Sequence, residues 1–159
     1  MNQQDSYDHT QHGPFCWLLN GIGLLLIGLA WGLRVERGIP WVFLPVGLLI
    51  LLLGGGFHFL RVRDIGEQLC VAFGPIPLFR RKIAYCNMTG VETGRTTILD
   101  GWGIHMSPRG GWVWNIWGRD CVVLQLKKGI LRIGTDDAER LTAFLRVRLP
   151  TASKQSHLS

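Results

Sequence analysis

Charge is missing from long tracts of this chain. Residues 15–33 (FCWLLNGIGLLLIGLAWGL) and 41–60 (WVFLPVGLLILLLGGGFHFL) contain no Asp, Glu, Lys or Arg. The residues ahead of them hold Asp5 and Asp8 but no Lys or Arg. A secretory signal needs a basic start, a short apolar core and a small-residue cleavage site, so that reading fails. Cysteine is scarce as well. Of four, Cys16 lies in the first apolar run, and Cys70, Cys86 and Cys121 have no CxxC spacing. An odd number without ligand spacing speaks against a disulfide framework or a zinc site and fits small buried side chains. The chain also lacks a nucleophile elbow, a P-loop, HExxH and GxGxxG. His105 has no Cys or carboxylate at ligand spacing and is expected to face solvent. His9 and His12 sit in a polar stretch expected to be disordered. No enzyme, cofactor or metal site is read from these residues.

What is present is apolar length. At about 1.5 Å per residue, each uncharged run reaches roughly 30 Å, the thickness of a hydrocarbon core. The expectation is a two-helix transmembrane hairpin over residues 15–60, with spans 15–33 and 41–60 joined by RVERGIP. Both termini then lie on one side. Trp17, Trp31 and Trp41 fall near the span ends, where indole rings favour the headgroup level, and read as interface anchors. Gly28 and Gly32 form a GxxxG, and Gly54 to Gly56 a second smooth patch; both suit close helix approach, with self-association through Gly28 and Gly32 open. Asn20 and His58 are the polar exceptions inside the spans. Arg34 and Arg37 in the connection balance Arg61 and Arg63 after the second span. Including Arg80, Arg81 and Lys82 leans both termini towards the cytoplasm.

Beyond residue 61 the pattern changes to short alternating runs broken by Gly and Pro. EQLCVAF, LFRRKIAYC, MTGVETGRT, GWGIHMSP, GWVWNIWG, CVVLQLKK and ILRIGT read as about seven antiparallel strands. Asp136 followed by Glu139 resembles a capping box, with Leu141, Phe144 and Leu145 at helical spacing behind it. That predicts an amphipathic helix over about 136–149. The organisation expected is a polar tail (1–14), the hairpin (15–60), a β-domain (64–150) and a second polar tail (151–159).

Strands closed by one C-terminal helix, together with GWGI (101–104), GRD (118–120) and IGTDD (133–137), resemble bacterial membrane-anchored pleckstrin-homology-like (PH-like) proteins with two N-terminal spans. The resemblance implies a PH-like β-barrel of about seven strands plugged by the helix, at the bacterial cytoplasmic (inner) membrane. It implies no chemistry, because most members of that family have no assigned function.

Two features bear on partners. Residues 101–120 hold Trp102, Trp112, Trp114 and Trp117. Core and hairpin packing is the preferred reading, an exposed platform for sugar or lipid the other. From residue 61 onward, fifteen Lys or Arg face eight Asp or Glu, a net of +7. Beneath a bilayer, anionic headgroups are a nearer target than nucleic acid. Arg61, Arg63, Arg80, Arg81 and Lys82 are the candidate contacts, although strand alternation separates Arg81 from Arg80 and Lys82. The function expected is a non-enzymatic interaction or scaffold module that binds a protein partner at the membrane surface. The alternative is an anionic-headgroup module.

Overall fold

The computed structural model describes residues 6–32, 40–76, 78–97 and 100–150. The connection carrying Arg34 and Arg37 and the tail at 151–159 lie outside the described residues. Among those described there are three helices and two sheets, of four and five strands. This corrects the expected two-span hairpin followed by a single seven-stranded barrel.

The chain enters through strand β1 (Asp8–His12) and then forms helix α1 (Phe15–Gly32) and helix α2 (Pro40–Gly56). Among the described residues only α1 is long and apolar enough to cross a membrane by length and composition; α2 is shorter, with 17 residues. The run at 41–60 is divided between two structures. After three glycines the Phe57 N–H is shared between the carbonyls of Leu53 and Gly54, ending the helix. Phe59 already belongs to strand β2 (Phe59–Asp64), whose Leu60 and Val62 are buried in the β-core. His58 is therefore not in a helix, and its N–H donates to the Gly74 carbonyl instead.

The helices pack on one another, but not through the GxxxG. A Cβ on Gly28 or Gly32 meets nothing within 4 Å. A Cβ on Gly23 meets Leu51 at 2.8 Å, and one on Gly47 meets Ile27 at 2.8 Å. Asn20 rests against Gly54, where a Cβ would collide with it. Position on the facing stripe, not the motif, decides which glycine matters.

The first sheet has the order β1-β2-β3-β4, all antiparallel, with β3 at Gln68–Gly74 and β4 at Arg80–Ala84. The residues expected to form a disordered tail are thus its edge: β1 pairs along β2 from Asp8↔Arg63 to His12↔Phe59. Tyr7, just before it, is 1% exposed in the core. The second sheet has the order β5-β8-β9-β7-β6. Its strands are β5 (Met88–Arg95), β6 (Gly103–Met106), β7 (Trp112–Asn115), β8 (Asp120–Leu126) and β9 (Gly129–Gly134), and β7 runs parallel to β9. One apolar cluster joins the inner faces of both sheets, with Leu60, Val71 and Phe73 from the first and Leu124, Leu131 and Ile133 from the second.

Helix α3 (Ala138–Arg148) buries Leu141 and Leu145 in that cluster and packs on β5 and β8. Its acidic start is not a capping box. The Asp137 side chain makes no cap hydrogen bond and instead accepts from the Tyr7 hydroxyl at 3.3 Å, while Asp136 meets His9 at 2.6 Å. Both acids reach across to β1, so α3 bridges the edge of one sheet and the face of the other. At its other end Arg148 lies 3.3 Å from Asp64, whose second oxygen accepts from the Tyr85 hydroxyl at 2.7 Å.

Candidate membrane-proximal surface

Strand alternation sorts the basic residues. On β2, Leu60 and Val62 point into the core, so Arg61 and Arg63 point out. On β4, Ile83 is buried, which turns Arg80 and Lys82 outward and gives Arg81 the inner parity. Arg61 and Arg80 both stand opposite Ala72, and Arg63 and Lys82 both stand opposite Cys70. The four cations therefore form two rungs on the outer face of one sheet. Between them is a depression of about 220 Å³ floored by Cys70, Ala72 and Gly74 and walled by Arg61, Arg63 and Arg80. Arg80 Nε donates to Cys70 Sγ at 3.2 Å, which fixes its stem along the sheet. Arg61 is already paired, 2.7 Å from Asp8 through Nε. Those hydrogen bonds hold the Asp8 carboxyl below the usual carboxylate range. Of the five candidate contacts, Arg61, Arg63, Arg80 and Lys82 come together and Arg81 does not.

Arg81 joins a different group. It lies with Lys82 along a second groove whose far wall is Lys127 and Lys128 in the β8–β9 turn. The sequence pattern does not single out those two lysines. They stand as an adjacent pair in a turn, and nothing in their spacing places that turn beside β4.

Aromatic and aliphatic side chains surround the sheet-side ends of α1 and α2. Phe15 lies 6.1 Å from Trp102 between ring centres and 6.4 Å from Phe57, and Trp17 lies 6.3 Å from His58. Trp102 and Trp117 stack at 4.5 Å with ring planes 26° apart. In the β3–β4 connection, exposed Ile76 and Leu78 lie beside Gly55 and Gly56 of α2. Exposed Trp31 and Trp41 mark the opposite helix ends. From Trp17 to Trp31 the rise along α1 is about 21 Å.

The Trp-rich stretch does form a hairpin, β6 pairing with β7 from Gly103↔Asn115 to Met106↔Trp112, but its tryptophans are divided, which corrects the core-packing part of the reading. Trp114 is 7% exposed and packs 5.8 Å from Phe73, but Trp102, Trp112 and Trp117 remain 40–45% exposed. Positive φ at Gly101 and Gly103 breaks strand alternation on either side of Trp102. Beyond β7, the Trp117 N–H donates to Asn115 Oδ1 at 3.2 Å, turning the chain so that Trp117 reaches Trp102.

Other polar groups are structural. Asp100, fully buried, accepts from Ser107 Oγ, from the Thr97 N–H and hydroxyl, and from Arg109. Burial raises its carboxyl, but these four donors outweigh burial and hold it well below the ordinary carboxylate range. Cys16, Cys70 and Cys121 are buried as expected, whereas Cys86 is exposed; burial pushes the Cys121 thiol up to about 11. His105 is half-buried rather than solvent-facing, and its Nε2 has no hydrogen-bond partner. Among the described residues, no group of three or more His, Cys, Asp or Glu is placed to hold a metal ion. No protein-family model matches the chain, and no curated protein matches it.

Proposed function

We propose that this chain is a membrane-anchored, non-enzymatic binding module held at a bilayer by α1, whose sheet domain contacts anionic headgroups. The observation that carries the reading is the outer face of the first sheet. Arg61, Arg63, Arg80 and Lys82 leave it together, on a strand that begins almost where α2 ends and on its neighbour once removed. Support comes from the helices, whose outward Leu, Ile, Val and Trp side chains form an apolar surface that water does not tolerate at this extent. Trp17, Trp102 and Trp117 gather at the sheet-side end of α1, where indole rings suit a headgroup level. The resemblance to inner-membrane proteins favours the cytoplasmic side, where the leaflet is anionic.

Each basic residue near such a surface contributes about 1 kcal/mol. Arg61 is neutralised by Asp8, so Arg63, Arg80 and Lys82 supply about 3 kcal/mol, roughly a hundredfold in lipid preference. The test reconstitutes the full chain in nanodiscs of mixed zwitterionic and anionic phospholipid. Retained lipids are then counted by native mass spectrometry. Anionic lipid should be enriched, and Arg63→Ala/Arg80→Ala/Lys82→Ala should remove most of that enrichment. Equal retention by both proteins would remove the headgroup role.

A further inference from the structure

We infer that the free edge of β4 is a docking site for an extended, acidic segment of a partner protein. β4 pairs only with β3 among the described strands, so its other edge carries no ladder. Arg81, Lys82, Ile83 and Ala84 all line one groove of about 410 Å³. Consecutive strand residues alternate faces, so a groove touched by four in a row runs along the edge, past the outward N–H and C=O groups. A polypeptide strand can complete that ladder; a nucleic acid or a lipid has no matching series of donors and acceptors.

Charge selects the kind of segment. Arg81 and Lys82 line one side and Lys127 and Lys128 the other, with no carboxylate in the lining. None of the four is in an ion pair among the described residues. Ile83 and Leu126 supply an apolar strip between them, and the Lys127 N–H donates to the Asn87 carbonyl at 2.9 Å, holding the lysine wall against β4. The chain's own C-terminal segment, TASKQSHLS, has a lysine and no acid, and so lacks the complementary charge. Two β4 edges brought together would oppose like charges directly, which disfavours a second copy.

The groove shares Lys82 with the headgroup face but runs on beyond it. Ile83 and Ala84 stand opposite Leu69 and Gln68, five and six residues along β3 from Gly74 at the helix end. That is roughly 17–20 Å along the strand. The groove is about 13 Å long over its four β4 residues and accepts a short stretch of strand.

The experiment uses the full chain in zwitterionic nanodiscs and fluorescence anisotropy with a labelled octapeptide alternating Glu and Thr. Comparison probes are the same peptide N-methylated at alternate amides, in both registers, and a single-stranded RNA oligonucleotide of equal charge. The parent peptide should bind. One N-methylated register should bind at least about tenfold more weakly, and Lys127→Glu/Lys128→Glu should weaken the parent by a similar factor. The same variant should keep its near-ultraviolet circular dichroism and its anionic-lipid retention; Lys127→Gln/Lys128→Gln replaces it if folding suffers. Equal binding of parent and both N-methylated peptides, tighter binding of the RNA with the same lysine dependence, or no peptide binding would each overturn the proposal.

Discussion

The helix pair and the sheet domain are both rich in leucine, and they place it in opposite ways. Leu25 on α1 is 61% exposed, while Leu131 on β9 is 0% exposed. Only 17% of the apolar stretch of α1 is buried inside the molecule. In the sheet domain, alternation sends one face inward and leaves Arg, Lys, Thr and Glu outside. The same side chain is thus handled in two ways: one region removes its apolar surface from water by packing, and the other leaves it on the outside of the molecule.

The sharpest way to break that comparison is to truncate one leucine in each region. Leu131→Ala should cost about 2–5 kcal/mol, because a filled site is emptied. Leu25→Ala, which removes no internal contact of comparable burial, should stay within about 0.5 kcal/mol in detergent. Thermal unfolding of the detergent-solubilised chain measures both, and similar losses would mean the regions do not differ as described. Next in size is Leu25→Arg. A charge at the middle of a membrane helix costs about 2.5–3.5 kcal/mol of insertion, so the fraction of protein resisting alkaline extraction from membranes should fall. An unchanged fraction would count against lipid exposure of α1.

The glycines sharpen the comparison within the helix pair. Gly47→Leu must displace Ile27 and should cost about 1–3 kcal/mol through overpacking, whereas Gly28→Leu meets open space and should leave pairing of α1 with α2 intact. Engineered-cysteine crosslinking between the helices distinguishes them; equal disruption would mean that the facing stripe is misplaced. A drop in oligomer size on Gly28→Leu alone would assign Gly28 to contact between copies.

A further effect is one of acidity and belongs to the sheet domain. Asp100 has a folded-state pKa below its unfolded value, so its contribution is present above the unfolded value of about 3.9 and is lost as pH falls through the folded one. Asp100→Asn should cost roughly 1–3 kcal/mol near neutrality and flatten the loss of stability below about pH 4. An unaltered acid slope would show that other carboxylates govern it.

Much of the local structure is legible in the sequence because it is periodic. The alternating runs between 67 and 134 coincide with β3 through β9, and the helical spacing after 136 with α3. Alternation alone also separates Arg81 from Arg80 and Lys82, since adjacent strand residues face opposite ways. Part of the candidate surface is therefore visible in the sequence, but not its division into an outer face and an edge groove.

What escapes is set by partners distant in the chain. DHTQH has no apolar alternation; it pairs as a strand on the edge that β2 offers, with Asp136 and Asp137, just ahead of α3, beside it. FLRVRD is hidden at the end of an apolar run whose hydropathy does not distinguish a lipid-facing helix from a buried strand. Lys127 and Lys128 meet the Arg81–Lys82 strand only after two sheets have closed on one core. By itself the sequence determined which residues each short segment turns to the same side, because that follows from backbone geometry. Tertiary structure alone decided which segments pair, how many sheets they make, which glycines let the helices meet and which tryptophans stay outside. Those choices depend on the surface that other segments leave to be covered.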